Sequence, residues 1–227
     1  INMGCGDEEY GQRTIGYCST VLTEMILALE IGLANHHLTQ AEYEYYITDA
    51  QKMVDNLDHV IVSTKEWYRR EKENLNATQH FLILGPKSLY GVALEGALKI
   101  LEVDKRFTAV GYEMDDGLHG PNMALNKNTK VMILNDGVSD QVLAEGIAKY
   151  MKTEVGTAYI IGRNTMDDGD FALDFRSEYF FALEFVVVMQ LISYWLAVEF
   201  GVEVALFKDL ELPDQKYFNT HSEHLGK

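Results

Sequence analysis

The chain has 227 residues, 47% of them apolar, enough for one large core or for a smaller domain with a helical segment attached. Its 35 acidic against 19 basic side chains give a formal charge of -16, and no run of Lys and Arg offers the footprint that nucleic acid needs. An anionic small molecule is not excluded, because helix N-termini and backbone N–H groups supply positive potential locally whatever the net charge.

The opening, Ile1 to Asp7, has neither the charged nor the apolar region of a signal peptide and runs through Gly4 and Gly6 into Asp7-Glu8-Glu9, which reads as a loop in mid-protein. Cys5 and Cys18 are the only cysteines, too few for a disulfide framework, so a reducing, cytoplasmic setting is expected. From Ser19 to Asn76 there is no proline and a single glycine, Gly32, and Val21, Met25, Ile26, Leu29 and Leu33 recur at helical spacing. A second helix is expected over Gln40 to Leu57 and a third from near His59 towards Glu73. The pattern changes at His80-Phe81-Leu82-Ile83-Leu84, a short apolar run stopped by Gly85-Pro86, as in a buried strand. A helix capped by Ser88 should follow, with Leu94, Ala97, Leu98 and Leu101 on its apolar face. Strands are expected at Phe107–Tyr112, Thr129–Leu134 and Thr157–Ile161, and helices at Val142–Lys152 and Ser177–Phe200. The last run is long enough for a membrane span, but Glu184, Gln190 and Glu199 interrupt it, so a buried helix is expected. Alternating strands and helices imply an α/β fold with a parallel sheet covered on both faces, ligands binding beyond the strand C-termini. The tail from Glu203 to Lys227 is polar and aperiodic.

Chemistry concentrates in two places. Glu95, Lys99 and Glu102 are spaced four and three residues apart, so they share one helix face and offer carboxylates beside an amine for proton transfer. Taken alone, the same trio is also what an exposed ion pair looks like, worth a few tenths of a kcal/mol. In Asp115-Asp116-Gly117-Leu118-His119-Gly120-Pro121 a loop histidine that titrates near neutrality can move a hydroxyl proton, or merely be solvated. The other histidines lack metal-ligand spacing, so no metal is expected. Gly85 to Gly91 fits neither the phosphate-loop nor the dinucleotide pattern, so ATP and NAD are not expected and no cofactor is. Asn164 to Asp170 reads as a solvated acidic loop, and the Tyr43-Glu44-Tyr45-Tyr46 cluster as helix packing.

Four stretches, in this order, resemble the double-SIS sugar-phosphate isomerases: Glu9-Tyr10-Gly11 leading to Thr14; Leu94-Glu95-Gly96-Ala97-Leu98-Lys99 with Glu102; His119-Gly120-Pro121 with Ala124-Leu125; and Leu191-Ile192-Ser193-Tyr194 leading to Gly201. The resemblance covers essentially the whole chain and is to the second SIS domain of glucosamine-6-phosphate synthase and to the fructosamine-6-phosphate deglycases. It implies an SIS-type, flavodoxin- or Rossmann-like three-layer α-β-α domain over residues 77–203, preceded by the end of a first SIS domain and linking helices over residues 1–76, with a tail over residues 204–227. The phosphate-gripping loop would then lie in a preceding half. The resemblance places Glu102 on the carboxylate that shuttles a proton between C1 and C2, Lys99 on the amine beside it, and His119 on the ring-opening histidine, which reaches a neighbouring subunit's site in a homodimer. Glu9, Thr14 and Glu95 are carried over as substrate-binding residues. Glu102 and Tyr112 are one residue further apart than in the synthase, which marks an insertion near Asp104.

At the position where the synthase has a Schiff-base lysine this sequence has none, whether Phe207 or Pro213 is aligned with its tail proline, and no glutaminase domain lies within these residues. The resemblance therefore leans towards a deglycase or isomerase acting on a phosphorylated fructosamine or ketose. The alternatives are an aminotransferase-type synthase relative and a non-catalytic sugar-phosphate sensor. Neither nucleic acid nor membrane is an expected partner.

Overall fold

The computed structural model describes residues 2–8, 12–103, 106–202 and 204. Helices α1 (Ile15–Ala34) and α2 (Gln40–Asn76) precede a run of strands and helices: β1 (His80–Gly85), α3 (Tyr90–Val103), β2 (Thr108–Glu113), the short α4 (Met114–Leu118), β3 (Thr129–Asn135), α5 (Gln141–Tyr150), β4 (Thr157–Gly162), β5 (Phe171–Ala172) and α6 (Phe181–Glu199). The five strands form one parallel sheet in the order β2-β1-β3-β4-β5.

The strands are apolar on both faces because both faces are covered. Phe81, Ile83, Met132, Leu134, Tyr159 and Ile161 point into a core shared with α2, α3 and α6, while Leu82, Leu84, Val131, Ile133, Ala158 and Ile160 point into a second core under α5. That is the α-β-α sandwich the alternating pattern predicts. At the contact of α3 with α6, a Cβ on Gly96 would sit 2.8 Å from Met189 Cε, so the glycine lets α6 come close and sets Gln190 beside Glu95.

Several expectations need correction. The region read as two helices is the single 37-residue α2. No break follows Leu57: the preceding Asn56 is fully buried and donates to Glu184 Oε1 at 2.6 Å and to the carbonyl of Asp174 at 2.7 Å. Ser88 caps nothing; it lies inside a 3-10 turn over Lys87–Leu89 that runs into α3. The acidic turn at 164–170 is not merely solvated. Asp170 is buried, pairs with Lys152 at 2.7 Å and accepts from the backbone N–H groups of Ile160 and Met166, tying β4 to the loop that starts β5. Helix α6 is half-buried to fully buried along most of its length, as expected of a core helix, and α1 is also long and apolar enough to cross a membrane, although it has no fully buried residue. Its Val21, Leu22, Met25 and Leu29 pack against Ala50, Met53, Phe180 and Leu183. The tail from residue 205 onward, with Phe207 and Pro213, lies outside the described residues.

Candidate functional site

Helix α3 follows β1 and returns along the sheet to the start of β2. Its 14 residues cover ~21 Å, about the length of a six-residue strand. Glu102, one residue from the end of α3, therefore sits level with the N-terminal edge of the sheet and not at the C-terminal edge, where parallel sheets usually bind ligands.

On this helix the three spaced residues form a buried cluster instead of a surface ion pair. The Lys99 side chain is 6% exposed and that of Glu95 4%, while Glu102 remains 39% exposed. Lys99 Nζ donates to Glu102 Oε2 at 2.8 Å and lies 3.7 Å from Glu95 Oε1. Burial pushes the Glu95 carboxyl above its usual range, and the nearby Lys99 and the amide of Gln190 only partly counter this. A buried ammonium between two carboxylates is held in place, and the carboxylate open to solvent is the one free to meet a substrate. The arrangement suits proton transfer at a carbon next to a carbonyl, with Glu102 as base and Lys99 as the charge that steadies it.

Glu95, Lys99 and Glu102 line a cleft of about 700 Å³ whose opposite wall is the first turns of α1 and the segment before it, including Glu8, Arg13, Tyr17 and Glu24. Glu8 was not singled out from the sequence, although the acidic run before Thr14 held the signal. It caps α1: its carboxylate accepts from the backbone N–H groups of Thr14, Ile15 and Gly16 at 2.7 to 2.9 Å and from the Thr14 hydroxyl. Burial acts to raise the Glu8 carboxyl, but these hydrogen bonds outweigh it and hold it below its usual range. Thr14 thus has its hydroxyl engaged by Glu8, and it lines a neighbouring groove of about 450 Å³ that shares Lys99. Glu9 lies outside the described residues.

His119 is not brought to this cleft. It follows β2 and α4 and so stands beyond the C-terminal edge of the sheet, ~20 Å along the strand direction from the level of Glu102. Its side chain is 73% exposed, and its Nδ1 is 2.8 Å from the carbonyl oxygen of Asp115, which raises the imidazole's pKa together with the Asp115 carboxylate. Glu102 and His119 therefore lie at opposite edges of the sheet.

No family model matches the chain. The chain is 31% identical over 147 residues to the glutamine–fructose-6-phosphate aminotransferase of Sulfolobus acidocaldarius and 26% identical over 212 residues to that of Synechocystis, matches that take in 64% and 90% of this chain. A crystal structure of a phosphosugar isomerase-type protein from Clostridium difficile superposes with a TM-score of 0.85 at 29% identity, over 96% of this chain. The sequence relatives are thus glutamine–fructose-6-phosphate aminotransferases, and the structural neighbours are phosphosugar isomerases of the SIS fold. The chain spans 25% and 33% of the lengths of those two aminotransferases and 62% of the clostridial protein. Among the described residues, no group of three His, Cys, Asp or Glu side chains is placed to hold a metal ion.

Proposed function

We propose that this SIS chain carries the proton-transfer half of a cytoplasmic enzyme that acts on a phosphorylated fructosamine or ketose, as a deglycase or isomerase. The observation that carries the reading is the buried Lys99 held between Glu95 and Glu102 on the wall of the cleft, with Glu102 the most exposed of the three. On a fructosamine 6-phosphate with its amine on C1, Glu102 takes the C1 proton and the C1–C2 enaminol forms. The proton returns at C2, the C1 nitrogen becomes an imine, and water releases an aldose 6-phosphate and the free amine. On a ketose 6-phosphate the same transfer gives the aldose. His119, supplied by a neighbouring copy in a homodimer or higher homo-oligomer, opens the sugar ring by moving the hydroxyl proton. Its position at the opposite end of the domain from Glu102 supports that assignment. Glu9, Thr14 and Glu95 are proposed to contact substrate, and residues 77–203 are proposed as a second SIS domain, with residues 1–76 as the end of a first SIS domain plus linking helices and residues 204–227 as a tail.

A second reading, an aminotransferase-type synthase, is favoured by the names of the curated relatives. The absence of a lysine at the aligned tail position argues against it. Incubation of the protein with a panel of fructosyl-amino-acid 6-phosphates, and separately with fructose 6-phosphate plus ammonia, followed by mass spectrometry, tests both. Amine release from the first group is the expected result. Glucosamine 6-phosphate from the second would establish the synthase instead, and binding of the panel without turnover would make the chain a sensor.

A further inference from the structure

We infer that Gln190 is a positioning residue: its side-chain amide, anchored by Cys18, orients the Glu95 carboxylate so that Lys99 stays shared between Glu95 and Glu102. The inference rests on the proposed role of the trio. Gln190 is on α6, is 8% exposed, and lies outside the four motifs that define the resemblance. Its Nε2 donates to Glu95 Oε1 at 3.4 Å, and its Oε1 accepts from Cys18 Sγ at 3.7 Å. A buried primary amide is satisfied only when its donor and acceptor ends face matching partners. Here the two neighbours decide the orientation. A thiol is the donor available on one side and a carboxylate the acceptor on the other, so the amide has one satisfactory way round, with its N–H towards Glu95.

The chain Cys18–Gln190–Glu95–Lys99–Glu102 thus runs from α1 through α6 to the open carboxylate. Without the Gln190 donor, Glu95 binds a proton more readily, its hold on Lys99 weakens, and Lys99 turns wholly to Glu102, which makes that carboxylate a weaker base. The titratable groups that face Glu95 are Lys99 and Glu102 on its own helix, Tyr17 and Cys18 on α1, and Glu8, Arg13 and Glu24 across the cleft; α6 contributes the neutral Gln190. Burial pushes the Cys18 thiol up to about 11, so it remains a donor throughout the neutral range.

Gln190→Leu and Gln190→Glu test this in the full chain. In protein labelled with carboxyl-13C glutamate, Gln190→Leu is expected to move the Glu95 titration to higher pH. On whichever phosphosugar the protein turns over, kcat should fall roughly ten- to a hundredfold with KM little changed, the size expected of a misplaced group next to the reacting one. Gln190→Glu keeps the size of the side chain and donates an O–H when protonated, so its activity should recover as pH falls and vanish as pH rises. An unmoved Glu95 titration in a folded Gln190→Leu protein, or equal losses in both variants at every pH, would reduce Gln190 to a packing residue. If no phosphosugar is turned over, the functional reading falls, while the 13C titration still decides the role of Gln190; if Gln190→Leu does not fold, the near-isosteric Gln190→Glu carries the test.

Discussion

Glu102→Gln is expected to lower kcat/KM by about 10²- to 10⁴-fold, the usual contribution of one acid-base group, while thermal stability barely changes. Stability should hold because the Glu102 side chain is already 39% exposed and is held by the hydrogen bond from Lys99 Nζ at 2.8 Å. The carbonyl oxygen of glutamine can accept that bond, so Lys99 is not left unpaired. Activity should not hold, because an amide cannot take a carbon-bound proton and return it. The comparison to make is turnover and melting temperature side by side. Retained turnover in the variant would remove Glu102 from the mechanism, and a large loss of stability would show the carboxylate to be structural.

Gly162→Ala is expected to destabilise the fold by roughly 3–5 kcal/mol, from a backbone conformation that only glycine adopts without strain combined with a clash that cannot relax. Gly162 ends β4 with φ +127°, and a Cβ there would lie 2.0 Å from the carbonyl oxygen of Asn135 on β3 and 3.0 Å from Phe185 Cζ. That carbonyl accepts from Arg163 N at 2.9 Å, and Gly162's own carbonyl accepts from Leu173 N at 3.1 Å, so the two chains are pinned at the point of contact. Equilibrium urea unfolding reads the effect. A loss under about 1 kcal/mol would mean that the ends of β3 and β4 separate more easily than the hydrogen bonding implies.

The sheet was legible because its strands are buried on both faces. Runs such as Phe81-Leu82-Ile83-Leu84 and Val131-Met132-Ile133-Leu134 need no alternation and stand out against the amphipathic helices around them. Buried polar side chains hid the rest. Nothing local shows that α2 continues past Leu57, because the partner of Asn56, Glu184, is 128 residues away, and Asp170 looked like a solvated loop because Lys152 and the backbone of Ile160 are brought to it only by the fold. Two-residue β5 carries too short a pattern to be read at all.

For the site, helical spacing placed Glu95, Lys99 and Glu102 on one face, as found, but spacing could not say whether that face was buried or at which end of the sheet it lay. Burial came from α6, which packs over α3, and the position came from the direction of α3 between β1 and β2. Gln190 was visible only as a polar interruption of an apolar helix. In sequence it argued against a membrane span; in the fold it meets Glu95, 95 residues earlier in the chain. Glu8 was not singled out because an acidic run does not reveal which of its carboxylates caps the N-terminus of α1.

The separation of His119 from Glu102 has a direct consequence. If ring opening needs His119 and proton transfer needs Glu102, each competent site draws on two copies of the chain, and substrates presented in open-chain form should depend on Glu102 far more than on His119.

The most direct test of the central claim is solvent exchange at carbon. In D₂O, a ketose 6-phosphate or fructosamine 6-phosphate incubated with the protein should gain deuterium at C1 or C2, followed by proton NMR, and the Glu102→Gln variant should leave both positions unexchanged. Exchange that proceeds equally in both proteins, or none with any phosphosugar offered to the unaltered protein, would contradict proton transfer by Glu102.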